Sequence, residues 1–302
     1  MSDIKVLIKQ SSHYFAGQAA ILAAGFLSFP ILTRIFSVSD YGLMSLVTTT
    51  LFIAVAIVKF GMPTSIVRFY AEYRASGKLS SFMTTIFLGV SSFAILAGAF
   101  LVLGIQLFGD LFHDKNLTAM IPIVSLLIVS GSMNDIFMSF MRAEQRTRLY
   151  NIIAICRRYM TLAFGITFTL YLIQGVRGFF VGQLLSGIII FVVLLFLAKK
   201  MFVLKKVYFS KDIFKTSLKF GFPLVWAEFG HLILNYVDRY LIQFFLGAGA
   251  LGMYTAGYNL ATHITEAIIY PINYAMTPVY MSILVNKGET ETKVFFTKMF
   301  RY

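Results

Sequence analysis

Apolar runs of bilayer-crossing length recur eight times along the chain, at residues 13–35, 41–60, within 79–108, within 117–141, and at 149–173, 176–197, 216–246 and 251–285. Crossing about 30 Å of hydrocarbon takes roughly 20 helical residues, and each run reaches or approaches that length. The first run is too long for the core of a signal peptide and lacks a convincing cleavage site, so it is read as a retained span. Short breaks separate the runs. Residues 37–42 predict a tight turn, and Gly61-Met62-Pro63 predicts a bend ahead of an amphipathic extension carrying Arg68, Glu72 and Arg74. The uncharged segment from Gly247 to Gly252 predicts the turn between the last two runs. Within the third run, Gly89, Ser91, Ser92 and Gly98 suit close helix packing.

The last two runs differ from the others in carrying polar stripes. Glu228, His231, Asn235, Asp238 and Arg239 fall within about 100° on a helix of 100° per residue. In the eighth run Asn259, Thr262, His263, Glu266, Tyr270, Asn273 and Thr277 do the same. An ionisable group near the bilayer midplane costs roughly 2.5–3.5 kcal/mol on insertion scales, which is tolerated when it faces a wet cavity or a partner. A purely structural polar seam between helices is the alternative. Two consecutive helices with matched stripes favour a shared cavity. Earlier in the chain, Asp135 and Arg142 share a face of the fourth span. Arg157 and Arg158 lie two to three turns inside the fifth, where snorkelling toward water competes with cavity lining.

Only 13 % of residues are charged and 58 % are hydrophobic, against about 25 % charged in soluble domains, so the fold class is all-α and polytopic. The net charge of +13 does not indicate nucleic acid, because the basic residues are spread through connections instead of clustering on a solvated domain. They are spread unevenly. The tail, residues 59–78, 142–148, 199–219 and the segment from 287 onward hold twenty of the 26 lysines and arginines. The alternate connections hold Arg34, Lys115 and Arg177. The positive-inside rule therefore places the N-terminus in the cytoplasm. Residues 31–45 also resemble 240–255, with Pro63 and Pro271 each about twenty residues further on, as expected of parallel repeats.

Soluble-enzyme chemistry finds no footing. His13, His113, His231 and His263 lack metal-ligand spacing, no phosphate loop or nucleophile elbow is present, and Cys156 is the single cysteine. Leu218-Lys219-Phe220-Gly221-Phe222-Pro223 enters the seventh span, Asp238-Arg239-Tyr240 lies within it, and Gly252-Met253-Tyr254 opens the eighth. With Tyr41-Gly42, Arg68-Phe69-Tyr70 and residues 142–150, these segments resemble a polysaccharide (O-antigen-type) flippase of the multidrug/oligosaccharidyl-lipid/polysaccharide exporter superfamily.

That resemblance implies two six-helix lobes around a central cavity that opens alternately to each face of the bacterial inner membrane. It implies no cofactor, a lipid-linked glycan of the undecaprenyl type as substrate, and coupling to an ion gradient such as H+ or Na+. Residues 1–198 are then the N-terminal six-helix lobe and 199–215 a basic cytoplasmic connector. Residues 216–302 form an incomplete C-terminal lobe of two spans and the start of a third, so the chain is expected to be part of a longer transporter.

The glycan carrier's diphosphate calls for guanidinium groups, for which Arg239, Arg157 and Arg158 are the candidates. Asn235, Asn259 and Asn273 suit sugar hydroxyls. Asp238, Glu228 and Glu266, with His231 and His263, are placed either to pair with Arg239 or to take up the coupling cation. Alternatives are a cation-coupled drug antiporter of the same superfamily, a membrane-embedded glycan-processing enzyme, and a non-transporting scaffold. The enzyme would need a catalytic acid on a sizeable outer loop, and Asp110 and Asp114 sit on a short one.

Overall fold

The computed structural model describes residues 2–108, 115–198 and 209–299, with side chains described except at 2–16, 108, 115–117, 270–282, 284–287 and 298–299. Every regular element among the described residues is an α-helix: α1 (Ser2–Ile35), α2 (Val38–Val58), α3 (Met62–Ala75), α4 (Leu79–Phe108), α5 (Lys115–Ala143), α6 (Thr147–Tyr171), α7 (Val176–Ala198) and α8 (Lys211–Met299). Six of them are long and apolar enough to cross a bilayer, over Gly17–Ile35, Val38–Val58, Leu79–Leu107, Thr118–Ala143, Thr147–Tyr171 and Val176–Ala198. The chain is a polytopic membrane protein. Its outer surface agrees: Phe100, Leu107, Phe196, Leu234 and Phe244 are each at least 76 % exposed, which lipid tolerates and water penalises.

Several boundaries depart from the sequence expectation, each for a local reason. The expected turn at 37–42 is shorter, because the Ser37 hydroxyl accepts the Asp40 N–H at 3.1 Å and starts α2 at Val38. The expected bend at Gly61-Met62-Pro63 is a full break. Phe60 (φ 46°) and Gly61 (φ 68°) both adopt left-handed backbone, and α3 restarts with Pro63 in its first turn. The helix of the seventh run starts at Lys211, so Lys211 and Lys215 of the expected connector are helical. Residues 199–208 of that connector lie outside the described residues, and 209–210 lead into the helix. The turn expected over 247–252 narrows to one residue, Gly247 (φ 83°), with helix resuming directly after it. A second break falls at Gly288 (φ 85°).

The break at Gly247 reverses the chain. As one straight rod, the 89 residues of α8 would run about 130 Å. Instead the Tyr254 hydroxyl donates to the Asp238 carboxylate across sixteen residues, a pair that a continuous helix would hold about 24 Å apart. Segments 211–246 and 248–287 therefore form a helical hairpin, packed on α2 and α1 and, more lightly, on α3 and α4.

Two apolar cores stack along the bundle. One gathers Met62, Ile66, Phe82, Ile86, Ile136, Phe137 and Leu194 at the end where α2 passes into α3 and α5 into α6. That end also carries Arg68, Arg74, Lys78, Arg142, Arg146 and Arg148 and is called the basic end below. The other core gathers Leu32, Tyr41, Met44, Leu51, Ile128 and Phe180 toward the opposite end.

The hairpin meets the bundle backbone to backbone at both ends. At the opposite end, a Cβ on Gly42 would strike the Ala248 carbonyl, and one on Gly252 would strike the Val38 carbonyl. Gly42 and Gly252, aligned when residues 31–45 are set against 240–255, thus lie at one crossing. At the basic end Gly61 and Gly221 touch in the same way, and the Ser65 hydroxyl donates to the Ser217 carbonyl at 2.7 Å. Only side-chain-free residues allow two helices this close.

Candidate functional site

Between α1, α2, α6 and α7 on one side and the α8 hairpin on the other lies a cavity of about 500 Å3. The hairpin contributes a polar wall because each arm carries its stripe toward the bundle. Of the residues singled out from sequence, His231, Asn235, Arg239, Asn259, His263, Glu266 and Arg158 all line this cavity.

Arg239 is its most constrained group. It is 7 % exposed. Its Nη1 donates to Thr49 Oγ1 of α2 at 3.0 Å, and the guanidinium carbon sits 5.0 Å from the Tyr236 ring centroid and 5.4 Å from that of Tyr258. These contacts fix the plane of the fork and leave its Nε buried without a hydrogen-bond partner. Phe52 stacks on Tyr236 at 6.3 Å and extends the aromatic wall.

Around it, Asn259 Nδ2 donates to the Tyr41 hydroxyl at 3.1 Å, and the Thr255 hydroxyl donates to Ser45 Oγ at 3.0 Å. Asn235 Nδ2 folds back on the His231 carbonyl at 2.7 Å. Deeper toward the basic end, His263 packs against Phe26, with ring centroids 5.6 Å apart, and over Gly25. Among the described residues, the Nδ1 of His263 and the Nε of Arg158 are buried without hydrogen-bond partners. Glu266 also lines this part of the cavity.

The remaining sequence candidates lie elsewhere. Asp238 is turned about 100° from Arg239. It accepts the Arg239 N–H at 2.8 Å and the Tyr254 hydroxyl, so it braces the hairpin and does not line the cavity. Arg157 binds Asp135 at 3.0 Å, and Lys59 binds the second oxygen of the same carboxylate at 2.9 Å. Glu228 lines a separate chamber at the basic end. Asn273, with Tyr270 and Thr277 of the same stripe, lies outside the described side chains.

Sequence reasoning missed the contribution of α2 and α7. Tyr41, Ser45, Thr48 and Phe52 form one face of α2, and Gln183 reaches in from α7. The signal existed at i, i+4 and i+7 but consisted of hydroxyl-bearing and aromatic residues that a hydropathy reading absorbs into the span.

The arrangement presents an anchored Arg239 and, deeper, Arg158, flanked by amides, hydroxyls and aromatic faces around one cavity. Guanidinium forks bind phosphate and carboxylate oxygens in pairs, and amide groups and tyrosine rings suit polyhydroxylated rings with apolar faces.

A family profile described as "Polysaccharide biosynthesis protein" matches residues 7–284. Among solved structures of similar fold is the outward-facing conformation of a multidrug resistance MATE family transporter of the MOP superfamily. It has 14 % identity and a TM-score of 0.62, and the match covers 96 % of this chain and 67 % of that one. A MOP superfamily transporter from Pyrococcus furiosus, in which the reverse polarity of the binding pocket suggests a different function, has 14 % identity and a TM-score of 0.59, covering 97 % and 74 %. MATE in complex with Br-NRF has 15 % identity and a TM-score of 0.63, covering 96 % and 70 %. At such identities the likeness is one of fold. No curated protein matches the chain.

Proposed function

The chain belongs to the polysaccharide biosynthesis protein family, and from that premise we propose that it flips lipid-linked oligosaccharide or polysaccharide repeat units across the bacterial inner membrane. The observation that carries this reading is the pair Arg158 and Arg239, which face one cavity with buried guanidinium nitrogens that lack partners among the described residues. An unsatisfied buried donor on a charged group costs more than the roughly 1–3 kcal/mol of a neutral one. An entering anion removes that cost and leaves the glycan's hydroxyls to Asn235, Asn259 and Gln183. The prenyl tail stays in lipid while the diphosphate head and sugars occupy the cavity. The basic end faces the cytoplasm, as the distribution of lysine and arginine requires.

Residues 1–198 act as one lobe and the α8 hairpin begins the second, joined through the basic connector 199–215. Alternating access is relative motion of these lobes about the α2–α8 contact, with the aqueous cavity passed from one face to the other. An H+ or Na+ gradient drives the cycle, with Glu266 beside His263 as the candidate coupling group within the cavity.

A drug antiporter of the same superfamily is the second reading, and the charge balance disfavours it. A cationic substrate needs an available carboxylate. Asp238 is engaged by Tyr254 and by the Arg239 N–H, which leaves Glu266 to face two arginines. Liposomes bearing the protein and a fluorescent polyprenyl-diphosphate glycan test the assignment. Protein-dependent, gradient-stimulated movement of the glycan between leaflets is expected. Movement of a cationic dye with no movement of glycan would establish the antiporter instead.

A further inference from the structure

A second chamber, of about 400 Å3, opens at the basic end of the bundle and shares no lining residue with the central cavity. Its charged groups come from three elements. Lys59 follows α2 at the break before α3, Asp135 and Arg142 sit two turns apart on one face of α5, and Glu228 lies on α8. Arg157 of α6 closes the set through Asp135, whose two oxygens are taken separately by Lys59 at 2.9 Å and Arg157 at 3.0 Å. Arg142 and Glu228 are different. Both are exposed side chains, and neither makes an ion pair or side-chain hydrogen bond among the described residues.

Two helices carry this chamber into the central cavity. On α8, Glu228 and His231 are three residues apart, about 4.5 Å of rise, and face the two spaces in turn. On α6, the consecutive residues Arg157 and Arg158 point about 100° apart, one toward Asp135 and the other into the central cavity. Cationic groups therefore succeed one another from the basic end inward, in the order Arg142, Lys59, Arg157, Arg158 and Arg239. Glu228 is the one carboxylate of the chamber without a partner.

We propose that this chamber is an entry site for the anionic headgroup, a sugar-linked diphosphate, before the headgroup moves on to Arg158 and Arg239. The proposal rests on the flippase reading and adds a second binding step to it. Arg142, which has no partner to surrender, makes the first contact. Lys59 lines the chamber and is held in place by Asp135, which Arg157 braces from α6, so an arriving phosphate meets a positioned cation. Glu228 sets the opposing field that keeps the headgroup from lodging there. A transfer station must bind weakly enough to release its ligand inward, and a mixed set of charges provides that.

The test uses two substitutions at exposed positions that disturb no pairing. In the liposome assay, Arg142→Gln should raise the apparent KM for polyprenyl-diphosphate glycan by roughly three- to tenfold with maximal rate unchanged, and Glu228→Gln should lower it by a similar factor. Both effects should shrink at high salt, because the screening length falls from about 8 Å at 0.15 M to about 3 Å at 1 M.

Binding of inorganic pyrophosphate, measured by calorimetry in an Arg158→Ala/Arg239→Ala background to silence the central site, should move in the same opposed directions. If Arg142 and Glu228 instead form a clasp in another conformation, both substitutions will change the maximal rate in the same direction and leave pyrophosphate affinity alone. That result, or an unchanged KM in both variants of an active protein, overturns the entry site while leaving the flippase intact. Opposed pyrophosphate shifts in a protein that moves no glycan would keep the anion site and reject the transport reading.

Discussion

Replacing Arg239 separates a substrate contact from a structural one, because the structure lets both magnitudes be worked out. Truncation to alanine removes one hydrogen bond from a charged donor to Thr49, about 1.5–3 kcal/mol. It also removes two ring contacts, each worth about 2 kcal/mol for a desolvated cation. Against that loss, it abolishes a buried Nε that has no partner among the described residues, relieving somewhat more than the roughly 1–3 kcal/mol of a neutral donor. The relief offsets only part of the loss, leaving a net cost to folding of up to a few kcal/mol.

The effect on substrate is not offset. Losing one member of a desolvated, hydrogen-bonded charge pair costs roughly 2–5 kcal/mol, which is about 30-fold to several thousandfold in transport. Arg239→Lys keeps the charge but loses the planar fork and should recover only about tenfold of that loss. Thr49→Val leaves the guanidinium present but untethered and should cost about tenfold. The assay is glycan movement in liposomes, normalised to folded protein by size-exclusion chromatography and thermal melting. Normal specific transport by Arg239→Ala would refute the reasoning. So would a fall in transport that merely tracks the loss of folded protein.

The hairpin crossing should be intolerant of any side chain: Gly42→Ala or Gly252→Ala should lower stability by about 1–3 kcal/mol. Gly104→Ala, where a Cβ meets nothing within 4 Å, should be neutral in the same thermal melts. Orientation can be read by cysteine labelling in a Cys156→Ser background. Ser76→Cys should react with an impermeant reagent only after the membrane is opened, and Gln174→Cys should react in intact cells; the reverse pattern would invert the topology. Ser37→Ala removes the cap on α2 and should cost about 1 kcal/mol in the melts.

Helix identity was legible because length alone distinguishes a membrane helix, and the two polar stripes were legible because period 3.6 survives in an apolar background. What the wheel supplies is azimuth. It says nothing of height, so Glu228 and His231 fall on one stripe although they open into different chambers. Arg157 and Arg158 pose the complementary difficulty. Their divergence by about 100° follows from sequence, but which of them meets Asp135 depends on the packing of α5 against α6. The role of Asp238 was hidden for a third reason. Its partner Tyr254 comes within reach only when the chain reverses, and a run from Gly247 to Gly252 suggests a loose turn where the structure makes one sharp break. Residues 248–252 stay helical because their helix must present Gly252 squarely to the Val38 carbonyl.

The crossing of Gly42 and Gly252 has a consequence for how the molecule can be regulated. Its touching surfaces are main-chain carbonyls and α-carbons, with nothing that titrates, oxidises or carries charge. Acidity and ionic strength have no handle there. They act through the charged groups of the central cavity, of the basic-end chamber and of the Asp238–Tyr254 pair. The far-side contact should instead respond to mechanical variables such as lipid thickness, lateral pressure and temperature. One closure thus answers to chemistry and the other to the physical condition of the bilayer. A change of membrane composition should shift the working cycle without altering the affinity for its cargo.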